Sequence, residues 1–337
     1  MTSPDRFDGL PKAELHLHLE GAIPLSTLWR LIDLYESGAT VPDKEALVRR
    51  LRYTSFAEFI DTWWWMTGFI RRTDDFTLVA ESVATALSKQ NIIYAEASFS
   101  PTDFERHGMS PQEIAVAIRT GLDRVPGIQV VLNCDLVRDT GVERAHRTLA
   151  AVTEVAKEAD IRGITIGGSE QRYPAEMFAG VYRRAEIAGF RLTAHAGEAA
   201  GPESVAAALD VLGVERLGHG VRLVEDQRLL ERVVAEQVPL EVCPTSNLRT
   251  GVVDSWDGHP IGILLAEGAN VTVSSDDPTF FHTTVADELR EVDSRFGADP
   301  VELTRRAVSA SWMSEDEKAG VMAQIGGWEA TGKTAAG

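Results

Sequence analysis

Ala13-Glu14-Leu15-His16-Leu17-His18-Leu19 is the stretch on which the fold turns. Its alternation reads as a β-strand. A period of two puts His16 and His18 on one face, with Leu15 and Leu17 packing on the other. Seven more strand candidates follow along the chain: Ile92–Phe99, Ile128–Leu136, Gly163–Gly167, Arg191–Ala196, Arg216–Val221, Leu240–Cys243 and Asn270–Ser274. Most are short, apolar and rich in Val or Ile, as strands buried on both faces tend to be. Helical stretches lie between them. Phe76–Gln90 has Asp74 or Asp75 as its cap, and Ser110–Val125 has Ser110 at the N-cap with Pro111 in the first helical position. Pro174–Gly189 and Glu203–Leu212 both stop at a glycine, Gly189 and Gly213. Strand–helix alternation repeated eight times predicts an α/β fold, a (β/α)8 TIM barrel formed by residues 1–337 as one domain. The segment 24–72 is too long for a single strand-to-helix connection, so it is expected to be a helical insertion after the first strand. The tail, 331–337, is expected to fray.

Composition narrows the class. The 337 residues are 44% hydrophobic, enough for a large core, and carry a formal net charge of −18. Such an acidic chain repels phosphate backbones, which argues against nucleic acid as a partner. Two cysteines, Cys134 and Cys243, do not make a disulfide scaffold and suit a reducing compartment. The N-terminal residues have no apolar signal core. No apolar run reaches the roughly 18 residues of a membrane helix. A cytoplasmic protein without a membrane partner is expected, and a homo-oligomer is compatible with the composition.

The polar residues of the strand candidates are not scattered. His16, His18, His195, His219 and Asp276 all fall at or just beyond C-terminal strand ends, the end at which such barrels carry their active sites. Three histidines and a carboxylate suit Zn²⁺, which takes nitrogen and oxygen ligands and keeps a position for water. The predicted ligands are His16, His18, His195 and Asp276, holding one Zn²⁺ per chain. Water on such an ion has its pKa lowered to roughly 7. Gly163-Ile164-Thr165-Ile166-Gly167-Gly168-Ser169 contains no lysine that could be carboxylated to bridge two metals, which favours a single ion. His107 and His146 read as ordinary structural histidines.

These residues resemble the adenosine/adenine deaminase family of the amidohydrolase superfamily. The likeness runs from about Leu10 to about Leu289. It is carried by Pro11-Lys12-Ala13-Glu14-Leu15-His16-Leu17-His18-Leu19-Glu20-Gly21, His195-Ala196-Gly197-Glu198, Gly218-His219-Gly220, Ser246-Asn247 and Ser275-Asp276-Asp277-Pro278. Cytidine-type deaminases hold zinc in a Cys-x-x-Cys setting, which this chain lacks. The resemblance implies hydrolytic removal of a purine 6-amino group as ammonia. It implies that Glu198 donates a proton to ring N1, that His219 takes a proton from water and orients it, that Asp277 meets N7 or the departing amine, and that Gly168 presents backbone to N3.

Substrate identity is a mosaic. Adenosine deaminases usually carry an aspartate, which contacts the ribose 5′-hydroxyl, where this chain has Glu20; adenine deaminases place glutamate there. Gly167-Gly168-Ser169-Glu170 and Asp276-Asp277-Pro278-Thr279-Phe280-Phe281 look like the adenine enzymes, whereas Ser246-Asn247-Leu248-Arg249-Thr250-Gly251 looks like the adenosine side. A third branch of the family takes 5′-extended adenosines such as aminodeoxyfutalosine, an intermediate of menaquinone synthesis. The expected activity is therefore deamination of adenosine or a 5′-modified adenosine. Adenine deamination is the alternative, and another mononuclear amidohydrolase reaction the more remote one. In the insertion, Phe56, Phe59, Ile60 and Trp63 fall at helical spacing, as in an amphipathic packed helix. Trp63, Trp64 and Trp65 span too many faces for all to be core, so at least one is expected at the mouth of the site as part of a lid.

Overall fold

The computed structural model describes residues 6–36, 41–53 and 56–332. Eight parallel strands follow one another in sequence order around the sheet: β1 (Lys12–His18), β2 (Ile92–Phe99), β3 (Gln129–Asp135), β4 (Ile161–Thr165), β5 (Arg191–Ala196), β6 (Arg216–His219), β7 (Leu240–Val242) and β8 (Val271–Val273). β8 returns to β1 through the segment just beyond it: Asp276 N–H donates to His16 O at 3.1 Å and His18 N–H to Asp276 O at 3.0 Å. This is the (β/α)8 barrel expected from the alternation. All seven residues of β1 are buried, as required of a strand with barrel interior on one side and helices on the other.

The strand ends are shorter than the apolar runs suggest. β6 stops at His219 because His219 (φ 60°) and Gly220 (φ 69°) enter the left-handed region, which no pleated strand accommodates. Beyond β7, Cys243 precedes the helix Pro244–Arg249. The helix Thr73–Lys89 shows why such elements pack. Phe76, Val79, Ala80, Val83, Ala84 and Leu87 are buried, one stripe at helical spacing. Its start departs from expectation. Neither Asp74 nor Asp75 is the cap; Arg72 occupies that position, and Asp75 reaches back to accept from the Arg71 and Arg72 N–H groups at 2.9 Å each. Ser110 does cap Pro111–Leu122, accepting from Glu113 N–H. Between β1 and β2 lie the inserted helices Leu25–Glu36, Lys44–Arg50 and Phe56–Thr67. At the other terminus, Thr331 and Gly332 close the last helix, Glu315–Gly332. The rest of the tail expected to fray, 333–337, lies outside the described residues.

Candidate active site

The C-terminal strand ends surround a cavity of about 380 Å³, within the range of small-molecule sites. His18 reaches it from the end of β1, His195 from β5, His219 from β6 and Asp276 from the turn after β8, and His16 of β1 stands behind them against His195. The donor atoms converge. His195 Nε2 lies 3.1 Å from His16 Nε2 and 3.2 Å from His18 Nε2. Asp276 Oδ1 is 3.6 Å from His16 Nε2 and 3.3 Å from His18 Nε2. His219 Nε2 also stands in the group, yet it is farther out, 3.9 Å from the other carboxylate oxygen of Asp276. One group of four potential donors, His16, His195, His219 and Asp276, has its ligand atoms within 4.8 Å of one another. The contacts of His18 with both His195 and Asp276 are shorter than the His219–Asp276 contact, which favours His18 over His219 as a ligand.

The donor chemistry fits a metal ion. His16 Nδ1 lies 2.9 Å from Glu241 Oε2. Donation to that carboxylate leaves the Nε2 lone pair facing the other donors, the usual carboxylate–histidine support of a metal ligand. Three imidazole nitrogens at about 3 Å cannot all satisfy one another by hydrogen bonds, whereas a cation between them and Asp276 satisfies every one.

The supports of these side chains are clear in three dimensions. Asp276 adopts φ 63°, an uncommon conformation for a residue with a side chain. The two backbone hydrogen bonds to β1 hold it there, and Ser246 Oγ donates to its Oδ2 at 2.6 Å. Asn247 Nδ2 meets His219 Nδ1 at 3.1 Å. Burial pushes His219 down to about 3, so it is a neutral imidazole; its Nε2 lies 3.6 Å from Glu198 Oε2. Burial first, then the Asp276 and Glu170 carboxylates, push Glu198 up to about 8. A carboxyl that keeps its proton near neutral pH is a competent acid. Burial and the adjacent Asp276 likewise push Asp277 well above the carboxylate range. Space for Asp277 depends on Gly21, since a Cβ there would come within 1.7 Å of Asp277 Oδ1.

Gly168 lines the cavity with φ +95°, and a Cβ on it would lie 2.4 Å from Asp139 Oδ2. Both constraints demand glycine. Glu20 behaves differently. Its side chain is buried and turned to the wall, where Oε1 accepts from Ser100 N–H at 3.0 Å, and it is absent from the cavity lining, which includes Ser100, Asp103 and Asp135. Of the tryptophans, Trp63 and Trp64 line the cavity; Trp65 packs on Phe69, ring centroids 5.2 Å apart. Trp63 stacks on Phe280 at 5.6 Å and its side chain hydrogen-bonds Asp103. Phe59 is both core and cavity wall. The side chain of Phe56 lies outside the described residues.

Comparison with known proteins agrees with this geometry. The family profile described as adenosine deaminase matches residues 11–328. The chain belongs to the adenosine deaminase family. It is thus a hydrolase acting on C–N bonds. It is 34% identical to an adenine deaminase of Bordetella parapertussis, covering 91% of this chain and 97% of the relative. It is 33% identical to an aminodeoxyfutalosine deaminase of Streptomyces avermitilis, covering 94% and 90%. Among solved structures, an amidohydrolase of Burkholderia ambifaria with bound Zn superposes with a TM-score of 0.87 at 26% identity, covering 100% of this chain and 96% of that one. No described helix is long and apolar enough to cross a membrane.

The sequence motifs did not single out Glu241, Asp135 or Glu170 as site residues. Glu241 had a signal: a charge at the centre of the three-residue buried strand Leu240–Val242 must have a partner.

Proposed function

We propose that this chain is a zinc-dependent hydrolytic deaminase of 6-aminopurine nucleosides, adenosine or a 5′-modified adenosine such as aminodeoxyfutalosine, releasing ammonia and the 6-oxopurine. His16, His18, His195 and Asp276 would hold one Zn²⁺ per chain. When bound, the ion makes water acidic enough to supply hydroxide near neutral pH. The remaining chemistry belongs to the chain. Glu198, protonated, gives its proton to N1, so that C6 becomes electrophilic. Neutral His219 accepts the water proton through Nε2 and orients the oxygen toward C6. Asp277 in its acid form donates a hydrogen bond to N7, and the proton that His219 took from the water passes to the departing amine, which leaves as ammonia. Gly168 lets the backbone approach N3.

The observation that carries the nucleoside reading is the orientation of Glu20. Bonded to Ser100 N–H and outside the cavity lining, it leaves the far end of the cavity to ribose and to a 5′ substituent. The insertion 24–72 would serve as the lid, with Trp63 and Trp64 over the ligand, on a single hydrolase barrel. Such an enzyme would work on small purines in the cytoplasm, with no nucleic-acid or membrane partner, in purine salvage or, for a futalosine-type substrate, in menaquinone synthesis. The names of the Bordetella relative and others like it favour a second reading, adenine deaminase.

Steady-state comparison of adenine, adenosine, 5′-methylthioadenosine and aminodeoxyfutalosine decides between them. Nucleosides should have kcat/KM values within about two decades of one another, roughly 3 kcal/mol of transition-state discrimination. Adenine turning over far faster than every nucleoside would replace this reading by the second, and strict dependence on a free 5′-hydroxyl would restrict it to adenosine.

A further inference from the structure

We propose that Glu170 is a positioning residue for the reaction: its carboxylate clamps the turn that carries Glu198 and so aims the proton donor into the cavity. The inference rests on the role of Glu198 given above. β5 ends at Ala196, and the chain must then reverse into the helix Pro202–Ala207. Gly197 begins the reversal at φ +70°. Four successive N–H groups then face one concavity, a form that binds an anion. Glu170 supplies the anion. Its Oε1 accepts from Gly197 N–H at 2.6 Å, and its Oε2 from Glu198, Ala199 and Ala200 N–H at 3.2, 2.8 and 2.8 Å.

The clamp therefore holds Glu198 by its own N–H and by those of the residues on both sides. It is also stiff. Glu170 is only 2% exposed, and hydrogen bonds to an ionised acceptor are about twice as strong as neutral ones. Gly197 packs closely on the following helix, where a side chain would not fit: a Cβ on it would meet Val205 Cγ2 at 2.5 Å. The Arg138 guanidinium donates to His195 O and, at 2.9 Å, to Tyr173 O, tying the end of β5 to the segment that carries Glu170. Glu170 itself is not part of the cavity lining. Any effect it has on turnover passes through Glu198.

This arrangement explains a spacing that the motif alone leaves open. Glu170 follows the Gly167-Gly168-Ser169 turn, in which Gly168 faces the cavity. One short segment after β4 thus offers backbone to the base and, two residues later, fixes the acid that protonates it. A displacement of about 1 Å in a reacting group costs on the order of 10²-fold in rate.

The test uses the zinc-loaded full chain. Glu170→Gln keeps the size of the side chain but turns an NH₂ donor toward N–H donors, so it cannot accept all four bonds. We expect kcat to fall about 10²-fold with KM changed by less than about threefold and zinc content unchanged. Glu170→Asp keeps the charge and shortens the reach, and should restore part of the loss. In the Glu198→Gln background, Glu170→Gln should cost no more than about threefold further, because residues that act through one another are not additive. An independent further loss of about 10²-fold in that background would overturn the proposal. So would Glu170→Gln retaining more than about a third of wild-type kcat, or losing activity only in proportion to zinc. If neither Glu170 variant yields folded, zinc-loaded protein, Glu170 is an anchor of the fold and the proposal falls. Glu198→Gln retaining more than about a tenth of wild-type kcat would instead remove the role of Glu198 itself. Inactive Glu198→Gln beside fully active Glu170→Gln would sink the positioning role alone.

Discussion

The lower half of the barrel interior and its C-terminal end are both full of buried charge, but they handle it in opposite ways. Below, Arg216 at the start of β6 donates through Nε to Glu241 at 2.7 Å, through its terminal nitrogens to Glu96, and to Ala310 O at 2.9 Å. Its guanidinium lies 4.0 Å from the Trp312 ring centroid. Lys12 at the start of β1 donates to Phe7 O and Leu10 O, each at 2.8 Å. Both of these cations find their hydrogen-bond partners within the chain. At the C-terminal end, His195 Nε2 lies about 3 Å from both His16 Nε2 and His18 Nε2 beside Asp276, and His219 Nε2 and Asp277 Oδ1 are buried with no hydrogen-bond partner. Paired buried charge holds one structure in place. Buried polar groups left facing one another are what a bound ion and substrate would complete, and they mark where stability yields to function. Glu241 belongs to both regions: one oxygen receives Arg216 and the other His16.

If this contrast is right, substitutions at the two ends should separate activity from stability. The largest change is expected at the top. Glu198→Gln should lower kcat by roughly 10²–10⁴-fold, the contribution of a positioned proton donor, while chemical denaturation shows stability unchanged or slightly raised. A variant that lost stability in step with activity would break the contrast. The wild-type enzyme should show the same group in its pH profile. Glu198 holds its proton up to about 8, so kcat should fall about tenfold per unit above that pH, as the acid form is lost. A profile that keeps rising through about pH 9 would remove Glu198 as the acid.

Next in size is Arg216→Leu. Removing one partner of a buried ionic network leaves Glu96 and Glu241 uncompensated and should cost about 3–5 kcal/mol in urea unfolding. A loss under about 1 kcal/mol would mean that this network is not what holds the lower barrel. The smallest effect sharpens the link between the regions. Glu241→Gln should weaken zinc binding about 10–100-fold in chelator competition, since His16 loses its charged support. Unchanged zinc affinity would show that the lower network stops short of the site.

Much of this was legible one-dimensionally. β2 and β5 begin and end at the boundaries read from the sequence, Ile92–Phe99 and Arg191–Ala196, because each is buried over nearly its whole length and closely spaced apolar residues mark it. His16, His18, His195, His219 and Asp276 were legible because a parallel barrel sends every strand end to the same face. Glu20 was misleading. Its place after the His16–His18 pair points to the ribose, yet the side chain turns to Ser100 N–H, a partner 80 residues away that no local pattern announces. The Gly167–Glu170 motif did not announce the clamp that Glu170 makes for the same reason, since its four donors lie 27 to 30 residues on, across a strand-to-strand crossover.

The sequence by itself therefore determined the barrel, the end of it at which the polar side chains meet, and the identity of the converging side chains. Hydrophobic periodicity and strand polarity are local properties, and a parallel barrel turns them directly into position. Only the tertiary structure decided which of five donors stand closest, where Glu20 and Asp277 point, and what holds Glu198. Hydrogen-bond partners and buried charge depend on distances between strands and turns far apart in the chain, and those distances exist only once the barrel has closed.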